Sequence, residues 1–378
     1  MKNRKLKEAI YTLLFITLIG LFVGYLSVNM GVANLFSSLM KTAHTLLLDT
    51  ALYILAISVI MGALGNLANE FGLVKIFNRI FAPLMKPLYN LPGASSLGIV
   101  TTYLSDNPAI ITLANDENYL EYFTEDEVPT LCNLGTSFGM GLILTTFMMG
   151  FGFFNEALIG NIGAIIGSIF SVRIMAHLIQ KRRNKKNPTT IKHTNKIKKT
   201  EDEQYSDDSF FIRFMTAMLE GGKSGVQMGI AIIPGLLFVC TIIMMLTFGP
   251  ADPTVGYQGL AFEGVALLPK IGNLFSPILT PLFGFTSPEA ISFPITSLGA
   301  VGAAISLVPK FLELNLIGGN DIAVFTAMGM CWSGYLSTHV GMMDALKRRE
   351  LISSALISHT IGGLVAGITA HFIYMLIV

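Results

Sequence analysis

Charge is scarce in this chain. Only 13% of its 378 residues are Asp, Glu, Lys or Arg, against 52% hydrophobic residues. A soluble protein of this size needs far more polar surface, so the composition excludes an ordinary globular enzyme or binding module. Cysteine is nearly absent too. Cys132, Cys240 and Cys331 lie in apolar stretches without CxxC spacing, which argues against a disulfide framework or a zinc site. No phosphate-binding P-loop is present, so the chain is not a nucleotide-driven pump by itself. No nucleophile with a paired base and no metal-ligand cluster is visible, and the expectation is a non-enzyme without a cofactor. A net charge of +1 gives no nucleic-acid stripe.

What the chain has instead is long apolar runs: 9–28, 46–67, 130–151, 157–179, 230–246 and 351–378. Each approaches the ~20 residues that cross a bilayer core. The first follows Lys2, Arg4, Lys5 and Lys7 and is read as an uncleaved span, being longer than a signal-peptide core. Basic residues set the orientation. Lys75, Arg79 and Lys86, the linker cluster from Lys181 to Lys199, and Lys347, Arg348 and Arg349 all belong on the cytoplasmic side. All three clusters fit inside only if residues 92–120 and 286–312 enter and leave the membrane on one side. A helical arm from Pro92 to Ser105 covers roughly 21 Å, too short to cross. Both stretches are therefore expected to be re-entrant hairpins.

The two stretches also correspond. Phe81/Phe275, Pro83/Pro277, Pro87/Pro281, Thr102/Thr296, Ala109/Ala303 and Gly135/Gly329 each differ by 194 in number (275 against 81, for instance). Hydrophobic segments broken at matching places in two halves point to a transporter's binding site. The expected fold is an all-α polytopic membrane protein with one leading span (1–32) and two inverted repeats of three spans each. The first repeat covers 33–180, a cytoplasmic basic linker 181–208, and the second repeat 209–378. The N-terminus is expected inside and the C-terminus outside a bacterial inner membrane.

Chemistry concentrates at the hairpins. Thr102-Tyr103-Leu104-Ser105-Asp106-Asn107-Pro108 is broken by Pro108, which removes a donor and disfavours helix at Asn107. Freed carbonyls there, with Thr102, Ser105 and Asp106, are candidate ligands for a coupling ion, sodium or a proton. An acid at mid-membrane is a functional candidate by default, and Asp106 also suits a helix cap. In the second hairpin, Thr296-Ser297-Leu298-Gly299 offers neutral hydroxyls, whereas Ser287-Pro288-Glu289 reads as a helix start with Ser287 as its cap. Asn133, Thr136 and Ser137 share one side of a glycine-rich span, and the matching span holds Ser333, Ser337, Thr338 and His339. His339 is open to a proton-path or a structural role. Aligning Thr42-Ala43 with Thr216-Ala217 pairs Asp49 with Lys223, which is read as snorkelling to an interface.

With these residues the chain resembles the gate-domain or nucleoside-recognition superfamily over residues 33–378, through Thr102-Tyr103-Leu104-Ser105-Asp106-Asn107-Pro108 and Tyr122-Phe123-Thr124-Glu125-Asp126-Glu127-Val128. That superfamily groups concentrative nucleoside transporters, spore maturation membrane proteins, the core of the ferrous iron permease and many uncharacterised bacterial gate proteins, which this chain resembles most. The resemblance implies that Asp106, Asn107, Asn133, Thr136, Thr296 and Ser297 serve a site where hairpin tips hold a solute and coupling sodium. The acidic and glutamine-bearing patterns of nucleoside transporters are missing, so the resemblance does not name the solute. The leading expectation is a secondary transporter of a small polar solute, nucleoside-like or another small metabolite. Its substrate-binding candidates are Asn107, Asn133, Thr136, Ser137, Thr296, Ser297 and Ser333. The alternative is a non-transporting membrane assembly or sporulation factor. Expected partners are the solute and the lipid bilayer, with a homo-oligomer left open.

Overall fold

The computed structural model describes residues 2–184 and 209–378; residues 185–208 of the expected linker lie outside the described residues. Helices make up almost the whole described chain, and its β structure is a lone bridge between Asp252 and Gly256. Six helical stretches are long and apolar enough to cross a membrane: Leu6–Met30, Val32–Glu70, Thr130–Gly150, Phe154–Arg183, Phe210–Thr247 and Arg349–Ile377. Their outer faces leave large apolar side chains uncovered, with Leu13 at 67% and Phe238 at 72% exposed, which is tolerable only against lipid. The protein is an all-α, multi-pass membrane protein.

Two expected spans are each broken into two helices. The segment from 319 to 345 divides into Gly319–Cys331 and Tyr335–Ala345 because Gly334 takes a left-handed conformation (φ 63°) that stops the first helix's ladder. Its sequence counterpart, Thr130–Thr136 and Gly141–Gly150, breaks in the same way at Met140 (φ 54°). Two amphipathic helices, Leu73–Tyr89 and Leu267–Phe283, likewise match in length and in their internal prolines. Each begins after a left-handed residue (Gly72, Ala266) and ends before one (Asn90, Gly284). These left-handed pairs have the same separation as the sequence correspondences.

Small residues set the helix packing. Leu52–Glu70 crosses Phe210–Gly235 in antiparallel fashion, with Gly62 against Gly221 and Gly225, and Leu55 against Gly229. A Cβ on Gly225 would strike the backbone of Ser58, so these helices approach to backbone contact. The Arg213–Glu70 ion pair at 2.7 Å closes one end of the seam. A second antiparallel seam joins Phe154–Asn184 to Ile352–Ile377, where Gly163 meets Ala366 and Ala370, and Gly167 meets Gly362.

Two expectations need correction. The counterpart of the π-helical turn Leu46–Ala51 is the π-helical turn Leu236–Cys240, so Asp49 does not correspond to Lys223. Ser287 makes no capping bond, and its buried Oγ has no partner among the described residues. Asp321 takes over that corner instead, accepting from the Thr286 and Gly318 amides at 3.1 and 2.9 Å and from the Thr286 hydroxyl.

Candidate functional site

The first hairpin consists of Ser95–Leu104 and Pro108–Leu113, which pack on each other. Between them the backbone leaves helical geometry at Ser105 (φ −122°, ψ −105°). Pro108 has no amide hydrogen, and among the described residues no backbone amide donates to the carbonyls of Thr102, Tyr103 or Leu104. Asp106 and Asn107 occupy the gap. Asn107 donates through Nδ2 to Asp106 Oδ1 at 2.9 Å and to Ser333 Oγ at 3.0 Å. The side chain of Asn107 is buried, yet its Oδ1 has no partner among the described residues.

Glycine makes this placement feasible. A Cβ at Gly139 or at Gly334 would run into the Asn107 amide, so Asn107 is wedged between the breaks of the two interrupted helices. Three irregular segments thus converge at one place: the first hairpin tip, the Met140 break and the Trp332–Gly334 break. Irregular backbone at membrane depth is tolerated when buried in protein or lining a wet cavity.

A cavity of about 720 Å³ opens beside this junction. Its walls are the first tip at Ser105–Pro108, the second hairpin tip at Gly299–Gly302, one face of Phe210–Gly235 and the turn from Ser333 to Thr338. The second hairpin turns at Ala300, in extended geometry between Ser292–Gly299 and Val301–Ile305. Asp106 is the one charged residue in the lining, and no Lys, Arg, His or aromatic residue contributes to it. An adjoining cavity of about 360 Å³ shares Ser105, Ser224 and Met228 and adds Glu220, Asn66 and Asn69.

Of the residues singled out in the sequence, Ser105, Asp106, Asn107, Ser333, Ser337 and Thr338 meet at the larger cavity. The others lie behind it. The hydroxyls of Thr102, Thr136, Ser137, Thr296 and Ser297 each donate to a carbonyl one turn earlier on their own helix, as with Ser137 to Asn133 at 2.7 Å and Thr296 to Ser292 at 2.6 Å. Asn133 faces away from the cavity, donating to Ser358 Oγ at 2.8 Å, Ser171 Oγ at 3.0 Å and the Ala355 carbonyl at 3.2 Å. His339 holds the Tyr335 carbonyl through Nδ1 at 2.6 Å and packs against the ring of His359, 4.6 Å between centroids. In the second sequence motif, Glu127 caps the Thr124 amide at 2.8 Å and Asp126 pairs with Arg183 at 2.5 Å. Ser224 and Gln227 join the lining unanticipated, because they lie on an amphipathic helix before the apolar run 230–246, where polar residues are equally expected at an interface.

No protein-family model and no curated protein matches this sequence. The fold, however, is similar to solved structures of CNTnw, a concentrative nucleoside transporter. A double variant of CNTnw in an outward-facing state superposes with a TM-score of 0.58 at 17% identity, over 99% of this chain and 86% of that one. CNTnw in an inward-facing substrate-bound state gives a TM-score of 0.57 at 17% identity, over the same shares of the two chains. A single-residue variant in an intermediate state gives 0.55 at 16% identity, over 100% of this chain and 88% of that one. The chain therefore has the fold seen in a membrane transporter along essentially its whole length.

Proposed function

We propose that this protein is a secondary active transporter of a small polar solute, bound between the tips of its two hairpins and coupled to sodium or protons. The observation that carries this reading is the Asp106–Asn107–Ser333 junction, a polar cluster built from three interrupted helical segments at the wall of a cavity. Broken helices around a polar site are the form in which membrane carriers expose backbone groups to a solute and an ion. The lining combines hydroxyls, amides and one carboxylate with apolar side chains such as Ile111, Met140, Met228 and Ile232, which suits reversible binding. Similarity to CNTnw in outward-facing and inward-facing states supports a fold able to present such a site to either side.

In this reading Asn107 and Ser333 touch the solute. Asp106, Ser105 and the free carbonyls of Thr102 to Leu104 hold the coupling ion. Asn133, Thr136, Ser137, Thr296 and Ser297 fix the helices that frame them. The basic ends support the orientation. Arg182 donates to the Glu350 carbonyl and Arg173 to the Leu88 carbonyl at 2.6 Å, which supports a common side for the segments near Lys86, Lys181–Arg183 and Lys347–Arg349; in this reading that side is the cytoplasmic one of a bacterial inner membrane. Antiparallel pairing of the continuous stretches Val32–Glu70 and Phe210–Thr247, each interrupted by one of the two π-helical turns, supports two inverted repeats.

The test is uptake. Proteoliposomes holding the purified full chain should accumulate a solute, identified by thermal-shift screening, when a sodium or pH gradient is imposed, and should exchange it without one. A bound solute that is never carried would support the non-transporting reading instead.

A further inference from the structure

The polar groups at the first hairpin tip are one-sided. Asn107 Oδ1, with the residue only 6% exposed, lacks a donor, while both Nδ2 hydrogens of the same amide are committed to Asp106 and Ser333. Asp106 adds a carboxylate, and the carbonyls of Thr102, Tyr103 and Leu104 add acceptors without backbone donors. Beyond Ser105 and Ser224 the adjoining cavity brings a second carboxylate, Glu220, again with no cation in its lining. Lys223 follows Glu220 closely in the chain, but it is exposed and lines neither cavity. Asp106 accepts from the Asn107 amide, and the hydroxyls and the Gln227 amide in the lining are neutral, so no group in either lining brings a positive charge to the carboxylates. A carboxylate left in that state at membrane depth is costly, and a positively charged donor removes the cost. An anionic solute would add repulsion. A flat heterocycle would find no ring to stack on.

Resting on the transporter reading, we infer that the solute is a small organic cation, a primary amine or guanidinium, whose N–H groups donate to the Asp106 carboxylate, so that the solute's own charge takes the place given above to a coupling ion at Asp106. Hydroxyls of Ser224, Ser333, Ser337 and Thr338 are within the same lining and serve the neutral remainder of the molecule. An inorganic cation presents related chemistry to the same acceptors, and the experiment separates the two sources.

The thermal unfolding midpoint of the full-length protein, in sodium-free buffer, is titrated with methylammonium, ethanolammonium, putrescine and guanidinium. Ethylene glycol, uridine, succinate and sodium at matched ionic strength complete the panel. The inference expects a saturable stabilisation by at least one organic cation. It expects none by ethylene glycol, the neutral analogue of ethanolammonium, which tests charge on the wild-type protein without any variant. Asp106→Asn should weaken that cation's binding roughly 10- to 100-fold, the range for a hydrogen bond to a charged group. Stabilisation by sodium alone, by uridine or succinate alone, or by none of the probes overturns it. If uridine is carried into proteoliposomes and the amines neither bind nor compete, the inference fails while the transporter reading stands. If a probe binds and none is carried, the transporter reading is the one that fails.

Discussion

Asn107 donates to the Ser333 hydroxyl at 3.0 Å, joining residues 226 positions apart in the chain. The bond ties the first hairpin tip to the broken helix of the second half, so both halves set where the Asn107 amide points. Gly139 keeps the remaining side open. Gly139→Ala should force the amide aside and weaken solute binding about tenfold or more, a loss of the size expected for one well-placed hydrogen bond to a charged or fully buried partner. Gly24→Ala, at a position with nothing within 4 Å of the added methyl, is the control. Unchanged affinity in a titration of Gly139→Ala would remove Asn107 from the site.

Two asparagines make different predictions. Asn133→Ala strips an amide whose two Nδ2 hydrogens are shared among Ser171 Oγ, Ser358 Oγ and the Ala355 carbonyl, all of them buried. It should lower unfolding stability by about 1–3 kcal/mol with little effect on affinity in the folded fraction. Asn107→Ala also removes two buried bonds, so it should lose affinity in its folded fraction in addition to stability. Comparing melting curves with binding isotherms for the pair decides the matter, and a binding loss in Asn133→Ala without a stability loss would move the solute toward that face.

The glycine seam is expected to be rigid. Gly225→Leu puts a side chain where the Ser58 backbone lies, and overpacking of this kind costs about 1–3 kcal/mol or more when backbone must shift. A lower midpoint in detergent, or loss of folded protein, is the expected result. A midpoint equal to wild type would mean that the helices do not pack as closely as described.

Topology can be read by labelling. The three native thiols are buried, so they contribute little background. Single cysteines placed in 182–208 or 347–350 should resist an impermeant maleimide in intact cells, whereas one appended after Val378 should react. Ready labelling of the linker positions would overturn the orientation and, with it, the inverted repeats.

Hydropathy was enough to reveal the membrane-spanning helices, because lipid exposure is written in composition. The helix break at Ser105–Asn107 was also legible, since Pro108 forbids an uninterrupted ladder there. Side-chain direction was not. Thr296 and Ser297 looked like ligands by their position near a tip, but a hydroxyl in a helix readily turns back to its own carbonyl, and both do. Asn133 shares a helical side with Thr136 and Ser137, yet which neighbour covers that side depends on Ser171 and Ser358 from distant helices. Ser224 and Gln227 escaped because which polar face of an amphipathic helix lines a cavity shows only once its partner is placed. The Met140 and Gly334 breaks could have been found by reading the two glycine-rich spans as matched interruptions.

Asp106→Asn tests the account most directly, measured as solute binding, exchange and gradient-driven uptake in proteoliposomes with expression and melting as controls. Charge pairing at Asp106, whether with sodium or with a cationic solute, requires that binding weaken while the fold survives. Proton coupling requires that exchange persist while uptake driven by a pH gradient disappears, because asparagine mimics the protonated acid. If the variant binds, exchanges and accumulates solute as the wild type does, Asp106 is only a helix cap and the site is not where the hairpin tips meet.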